Sequence, residues 1–88
     1  MFTIIKGQKK IQIPSNEVAS LQSNYEGVIV TCTDRTELRF AIETNNAIQA
    51  ILNIADKNLG RDITIDLNAA MRNKASDILK IGSAKINQ

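Results

Sequence analysis

Two aspartates four residues apart, one cysteine and two loose groups of basic residues are what this 88-residue chain offers for chemistry. Asp62 and Asp66 fall on one face of a strand, and paired carboxylates are what glycoside hydrolysis or a bound magnesium ion requires. Along an extended backbone they stand roughly 13 Å apart, too far to share a proton or an ion. They read instead as a polar outer face, with Asp66 or Asn68 available to cap a helix. Cys32 continues the alternation of Val28 and Val30 and has no basic neighbour in its strand to lower its pKa. That pattern makes it a core residue, not a nucleophile. The chain has no histidine, which removes the commonest general base at neutral pH, the usual serine and cysteine triads, and the commonest transition-metal ligand. One thiol cannot build a zinc site, and four scattered glycines contain no phosphate-binding loop. The expectation is a non-enzymatic protein with no cofactor and no metal.

The basic residues gather as Lys6, Lys9 and Lys10 around the first turn, and as Arg61, Arg72, Lys74, Lys80 and Lys85 in the last third, against Asp62, Asp66 and Asp77. Eleven basic and nine acidic residues leave a formal charge of +2. So small a net charge makes no strong field, and phosphate binding would depend on local clustering. If the first hairpin and the second helix share a side, Lys6, Lys9, Lys10, Arg72 and Lys74 make a surface for nucleic-acid phosphates. The plain alternative is solubility, with the lysines guarding an edge strand. Phe2, Tyr25 and Phe40 are the whole aromatic complement, which leaves little for base stacking. Tyr25, beside Gly27 in a turn, is expected to cover the end of a small core.

These side chains must be positioned by elements legible in the pattern. A 43% apolar and 23% charged composition describes a folded domain, and the length fits one domain, residues 1–88, near the small end of the range. Residues 2–6 and 10–13 are β-branched runs flanking Gly7-Gln8, an opening hairpin that ends at Pro14. A weaker strand covers 18–22. After a turn at 24–27, residues 27–33 form the most β-prone run, and Asp34-Arg35 turns the chain into 36–42, where Leu38, Phe40 and Ile42 share a face. From Thr44 the period becomes helical, with Ala47, Ile48, Ile51, Leu52, Ala55 and Leu59 on one side, Thr44 or Asn45 as cap and Gly60 as C-terminal cap. Residues 61–67 return to strand alternation, and a second helix carries Met71, Ala75, Ile78 and Leu79, fraying near Gly82. The predicted order is βββββαβα, an α+β domain with an antiparallel sheet of about five to six strands and two helices packed on it.

A late, short, β-branched strand added after a helix is expected at a sheet edge, where Ile63, Ile65 and Leu67 would pair with a second chain; the alternative is that it closes the sheet internally. The function expected first is therefore a small interaction or regulatory module with a protein partner, self-associating as a homodimer through a sheet edge or a helix face. No apolar stretch approaches the roughly twenty residues that span a bilayer. The lone cysteine and the lack of a secretion signal point to the cytoplasm.

The run KGQKKIQIPSNEVASLQSNYEGVIVTCTDRTELRFAIETNNAIQAIL, about residues 6–52, resembles the start of the LytTR family of bacterial DNA-binding response-regulator domains. The shared features are a strand ending at Ile13-Pro14, the pair Glu17-Val18, a turn with Asn24 and Tyr25, an Asp-led turn at Asp34 and a Thr-led helix from Thr44. The resemblance implies a nucleic-acid-binding regulator. It stops after that helix, where the family carries a basic, aromatic, histidine-containing strand and this chain has RDITIDL. No DNA-contacting residue is carried over from the family.

Overall fold

The β-branched runs pair locally first. In the computed structural model, which describes residues 1–82, Phe2–Lys6 (β1) and Lys9–Ile13 (β2) form an antiparallel hairpin with Phe2 opposite Ile13 and Lys6 opposite Lys9. Gly7 takes φ +64° in the two-residue loop, a conformation that glycine enters without steric penalty. Lys85, counted above among the basic residues, lies outside the described residues. Pro14 ends the hairpin and a 3-10 turn at Ser15–Glu17 redirects the chain. A meander follows: Val18–Asn24 (β3), Gly27–Cys32 (β4) and Glu37–Ala41 (β5). Asn46–Asp56 is a helix (α1), Ile63–Asp66 a strand (β6), Leu67–Met71 a short helix (α2), and Leu79–Ile81 a final strand (β7) after a 3-10 turn at Ala75–Asp77.

The α+β class and the order of the eight expected elements agree with the sequence pattern, and β7 is added after them. The strands, however, divide between two sheets, β2-β1-β6-β7 and β3-β4-β5. Within the first sheet β1 and β6 run parallel, Ile4 beside Ile65, while β2 and β7 are antiparallel to their neighbours. A parallel pair needs a long crossover, and here the crossover contains the whole meander and α1. One face of each sheet is apolar: Phe2, Ile4, Ile63 and Ile65 on the first, and Leu21, Val28 and Val30 on the second. These and Ile48, Leu52 and Ala55 of α1 belong to one buried cluster. Two half-apolar sheets and an amphipathic helix thus bury their stripes against one another, the usual condition for a stable layered domain.

The helix ends follow side-chain chemistry. Of the two candidate caps it is Asn45 that works, its Oδ1 accepting the Ile48 N–H at 2.9 Å. Thr44 is buried instead, donating its hydroxyl to the Asn24 carbonyl at 2.6 Å. Gly60 is not the helix cap: α1 stops at Lys57, and Gly60 uses its φ of +99° in the turn leading to β6. The second helix is much shorter than its apolar spacing suggests. Asp66 caps it through the Asn68 N–H at 3.0 Å, and Asn73 ends it at φ 55°. The Lys74 N–H then reaches the Ala69 carbonyl at 2.9 Å, and the Asn73 N–H reaches that of Ala70 at 3.2 Å. This pair of bonds is a Schellman closure, with asparagine in the left-handed position usually filled by glycine. Freed from the helix, Leu79 and Ile81 pair with β6 as a strand.

The turn between β4 and β5 stores strain. Arg35 sits at φ 73°, while Asp34 Oδ1 accepts the Thr36 N–H at 3.0 Å. That bond and one to the Thr36 side chain hold the Asp34 carboxyl below its ordinary pKa. The turn is therefore fully supported above the usual carboxylate range, and that support is lost as pH falls below that range through the lowered pKa of Asp34. A left-handed non-glycine residue costs about 1–2 kcal/mol, and glycine recovers part of this while losing more chain entropy on folding. An Arg35→Gly variant is expected to gain about 0.5 kcal/mol, read as a urea midpoint higher by a few tenths molar. A lower midpoint would mean the arginine side chain holds the turn.

Candidate functional site

The residues that suggested acid or thiol chemistry have local partners. Asp66 is committed to the α2 cap, and Asp62 Oδ1 lies 3.4 Å from the terminal ammonium of Met1. Cys32 is half-buried against the core, and burial, then Asp34 and Glu17, push its thiol pKa up. It therefore stays a protonated, apolar group at neutral pH, as its place in the strand suggests. Among the described residues no three of the His, Cys, Asp and Glu type converge as metal ligands.

The edge assigned to Ile63, Ile65 and Leu67 is corrected. β6 is an interior strand with β1 on one side and β7 on the other, and all three residues are fully buried. Leu67 has already left the strand as the first residue of α2. A strand whose two sides are both paired offers no backbone groups to a second chain. The cause is β7, formed from residues whose spacing also suits a helix.

Among the described residues four strands do lie at sheet edges: β2, β7, β3 and β5. They are not equally open. Along β3 the Leu21 N–H is taken by Asp56 Oδ1 at 2.9 Å, so the C-terminal end of α1 covers the middle of that edge. The edge formed by β7 is three residues long and packs against α1 and the preceding 3-10 turn. What remains is β2 and β5. They line one open groove of about 600 Å³, with Lys6, Gln8, Lys9 and Ile11 on one wall and Leu38, Arg39, Phe40 and Ala41 on the other.

Strand parity decides which lysines enter it. Lys6 lies on the same face as the buried Phe2 and Ile4, and its cross-strand partner Lys9 on the same face as Ile11 and Ile13. The two ammonium groups thus prolong the apolar face past the end of the core. Lys10, opposite Ile5, belongs to the other face. Arg39 is engaged with Glu37 at 2.8 Å, whereas Lys6, Lys9, Lys10, Arg72 and Lys74 have no ion-pair partner among the described residues.

The two basic groups are brought together by one side chain. Asn68, in the first turn of α2, accepts the Gly7 N–H at 2.7 Å and donates to the Gly7 carbonyl at 3.0 Å. The tip of the lysine hairpin is therefore clamped to α2, and Arg72 follows Asn68 by four residues, about 6 Å along a helix. Lys74 lies just beyond, in the Schellman closure.

A second, larger groove of about 780 Å³ runs past Tyr25, Thr44, Ile48 and Met71. Tyr25 does not cover the core as expected; it is 61% exposed, its hydroxyl donating to Asn46 Oδ1 at 2.6 Å. Met71 beside it is also exposed.

The sequence reading passed over Ile11, Leu38 and Phe40 as groove walls, and the Asn68 clamp. The first had a usable signal, since lysines in phase with core isoleucines mark the point where an apolar face runs out. The second had none, because Gly7 and Asn68 are 61 residues apart. No protein-family model, curated protein or solved structure matches this chain.

Proposed function

We propose that this protein is a small non-enzymatic interaction module that pairs its open sheet edges with an extended segment of a protein partner, a second copy of the chain included. The observation that carries the reading is the inequality of the edges among the described residues: β3 gives a backbone N–H to the end of α1 and β7 is only three residues long, while β2 and β5 have no further strand beside them and flank one groove. Natural sheets normally blunt edges that are not used, and main-chain pairing to an exposed edge is a recurrent mode of peptide recognition. No helix among the described residues is long and apolar enough to cross a membrane. A cytoplasmic setting, in which Cys32 stays reduced, fits the module.

The test combines sedimentation across a concentration series with amide-shift mapping against a library of extended peptides. Self-association or peptide binding is expected to move the amides of 9–13 and 37–41 and leave those of 18–24 in place. A chain that stays monomeric at all concentrations and binds no peptide overturns the reading.

A second reading is favoured by the Asn68 clamp. It draws Lys6, Lys9 and Lys10 toward Arg72 and Lys74, the grouping a LytTR-like nucleic-acid binder would place on phosphates. On that reading duplex DNA binds with an affinity that falls linearly with salt in log-log terms, and reversing Lys9 and Lys10 to glutamate abolishes it.

A further inference from the structure

We propose that the groove between β2 and β5 selects an acidic, extended segment of a protein partner in which a carboxylate and an aliphatic residue recur two positions apart. The inference rests on the edge-pairing reading above and adds the chemistry of the partner. Lys6 and Lys9 stand directly opposite each other on one face of the hairpin. Like charges so placed repel, and among the described residues no carboxylate is paired with either. A carboxylate held between them removes that repulsion and gains two charge-assisted hydrogen bonds.

The adjoining surface fixes what accompanies the acid. Ile11 follows Lys9 by two residues on the same face, and with Leu38 it is half-buried beside the buried Phe40. A strand added alongside β2 shows its residues to this face at the same spacing of two, roughly 7 Å. A glutamate or aspartate level with Lys9 therefore sets an aliphatic side chain level with Ile11, where it covers the remaining apolar wall. Nucleic acid matches only the charged half of this surface, having no aliphatic group to place on Ile11 and Leu38. Lys10, turned to the opposite face, takes no part.

The experiment is fluorescence anisotropy with three labelled peptides of one length, in which threonine fills every second position and the positions between carry valine alternating with glutamate, glutamine or lysine, so that valine and the variable residue stand two apart on one face, each followed by amide-shift mapping. The glutamate peptide is expected to bind about ten-fold more tightly than the glutamine peptide and to shift the amides of Lys9, Ile11 and Leu38. A variant carrying Lys6→Glu and Lys9→Glu should exchange this preference for the lysine peptide, while Lys10→Glu should leave it unchanged. Both variants alter the hairpin outside the buried cluster, and their urea midpoints report whether folding is kept. Equal binding of the glutamate and glutamine peptides at the same amides overturns the acidic preference and leaves edge pairing standing. Absence of any shift in β2 or β5 with all three peptides overturns both. Displacement of the glutamate peptide by mixed-sequence duplex DNA, lost equally in Lys10→Glu, overturns the proposal in favour of a nucleic-acid surface.

Discussion

An Ile65→Ala variant is expected to lose about 2–5 kcal/mol of stability, a large part of the roughly 5–15 kcal/mol that holds a typical domain together. Ile65 is fully buried, paired in parallel with Ile4 and antiparallel with Leu79. Removing three carbons there forfeits their transfer energy and leaves a cavity that strands tied on both sides cannot collapse into. A matched Thr64→Ala change on the half-buried opposite face should cost no more than about 1 kcal/mol. Urea unfolding followed by circular dichroism separates the two. A cost for Ile65→Ala as small as that for Thr64→Ala would mean that β6 is an accessible edge after all, and would restore Ile63, Ile65 and Leu67 as a self-association surface.

Gly27→Ala is expected to cost about 3 kcal/mol, the upper end of what overpacking usually brings. Gly27 opens β4 and is paired with both Asn24 and Ala41. A Cβ at this position would collide with the carbonyl oxygen of Phe40. A flexible side chain could swing aside, but this oxygen is part of the β5 backbone, so relief requires prising β5 from β4. The prediction therefore has a functional arm. Because Leu38, Phe40 and Ala41 form one wall of the groove, the variant should also lose peptide binding under conditions where it remains folded. Gly60→Ala is the control: nothing lies within 4 Å of the added carbon, and only the positive φ opposes it, a cost of about 1 kcal/mol. Thermal unfolding of the pair tests the steric argument, and equal losses would refute it.

Period-two alternation in 27–33 and 36–42, the Gly7-Gln8 loop and the helical spacing from Ala47 to Ala55 are statements about a few neighbouring residues, and each produced the expected element, although the helix ends at Asp56, short of Leu59. Local patterns failed where two were nearly balanced. Ile78 and Leu79 satisfied a helical stripe running from Met71 as well as they satisfied a strand. The left-handed Asn73, with its own N–H on the Ala70 carbonyl and that of Lys74 on Ala69, broke the tie in favour of a stop. Tyr25 was misread for a similar reason, since an aromatic beside a glycine turn says nothing about whether core or solvent lies over it.

The candidate site divides along the same line. The sequence alone determined that histidine-based catalysis is absent, that the charges are mixed, and that lysines flank the first turn. Which edges are open was decided by tertiary structure, because an edge is defined by the strand that fails to arrive. β7 arrived beside β6 after a helix and a turn and Asp56 arrived beside β3 from 35 residues on, while among the described residues no strand arrived beside the outer edge of β2 or β5. Alternation tells which way a side chain points but not which strand lies next to it. Neighbours in a sheet are chosen by burying whole apolar faces together, a property of the assembled chain and not of any segment.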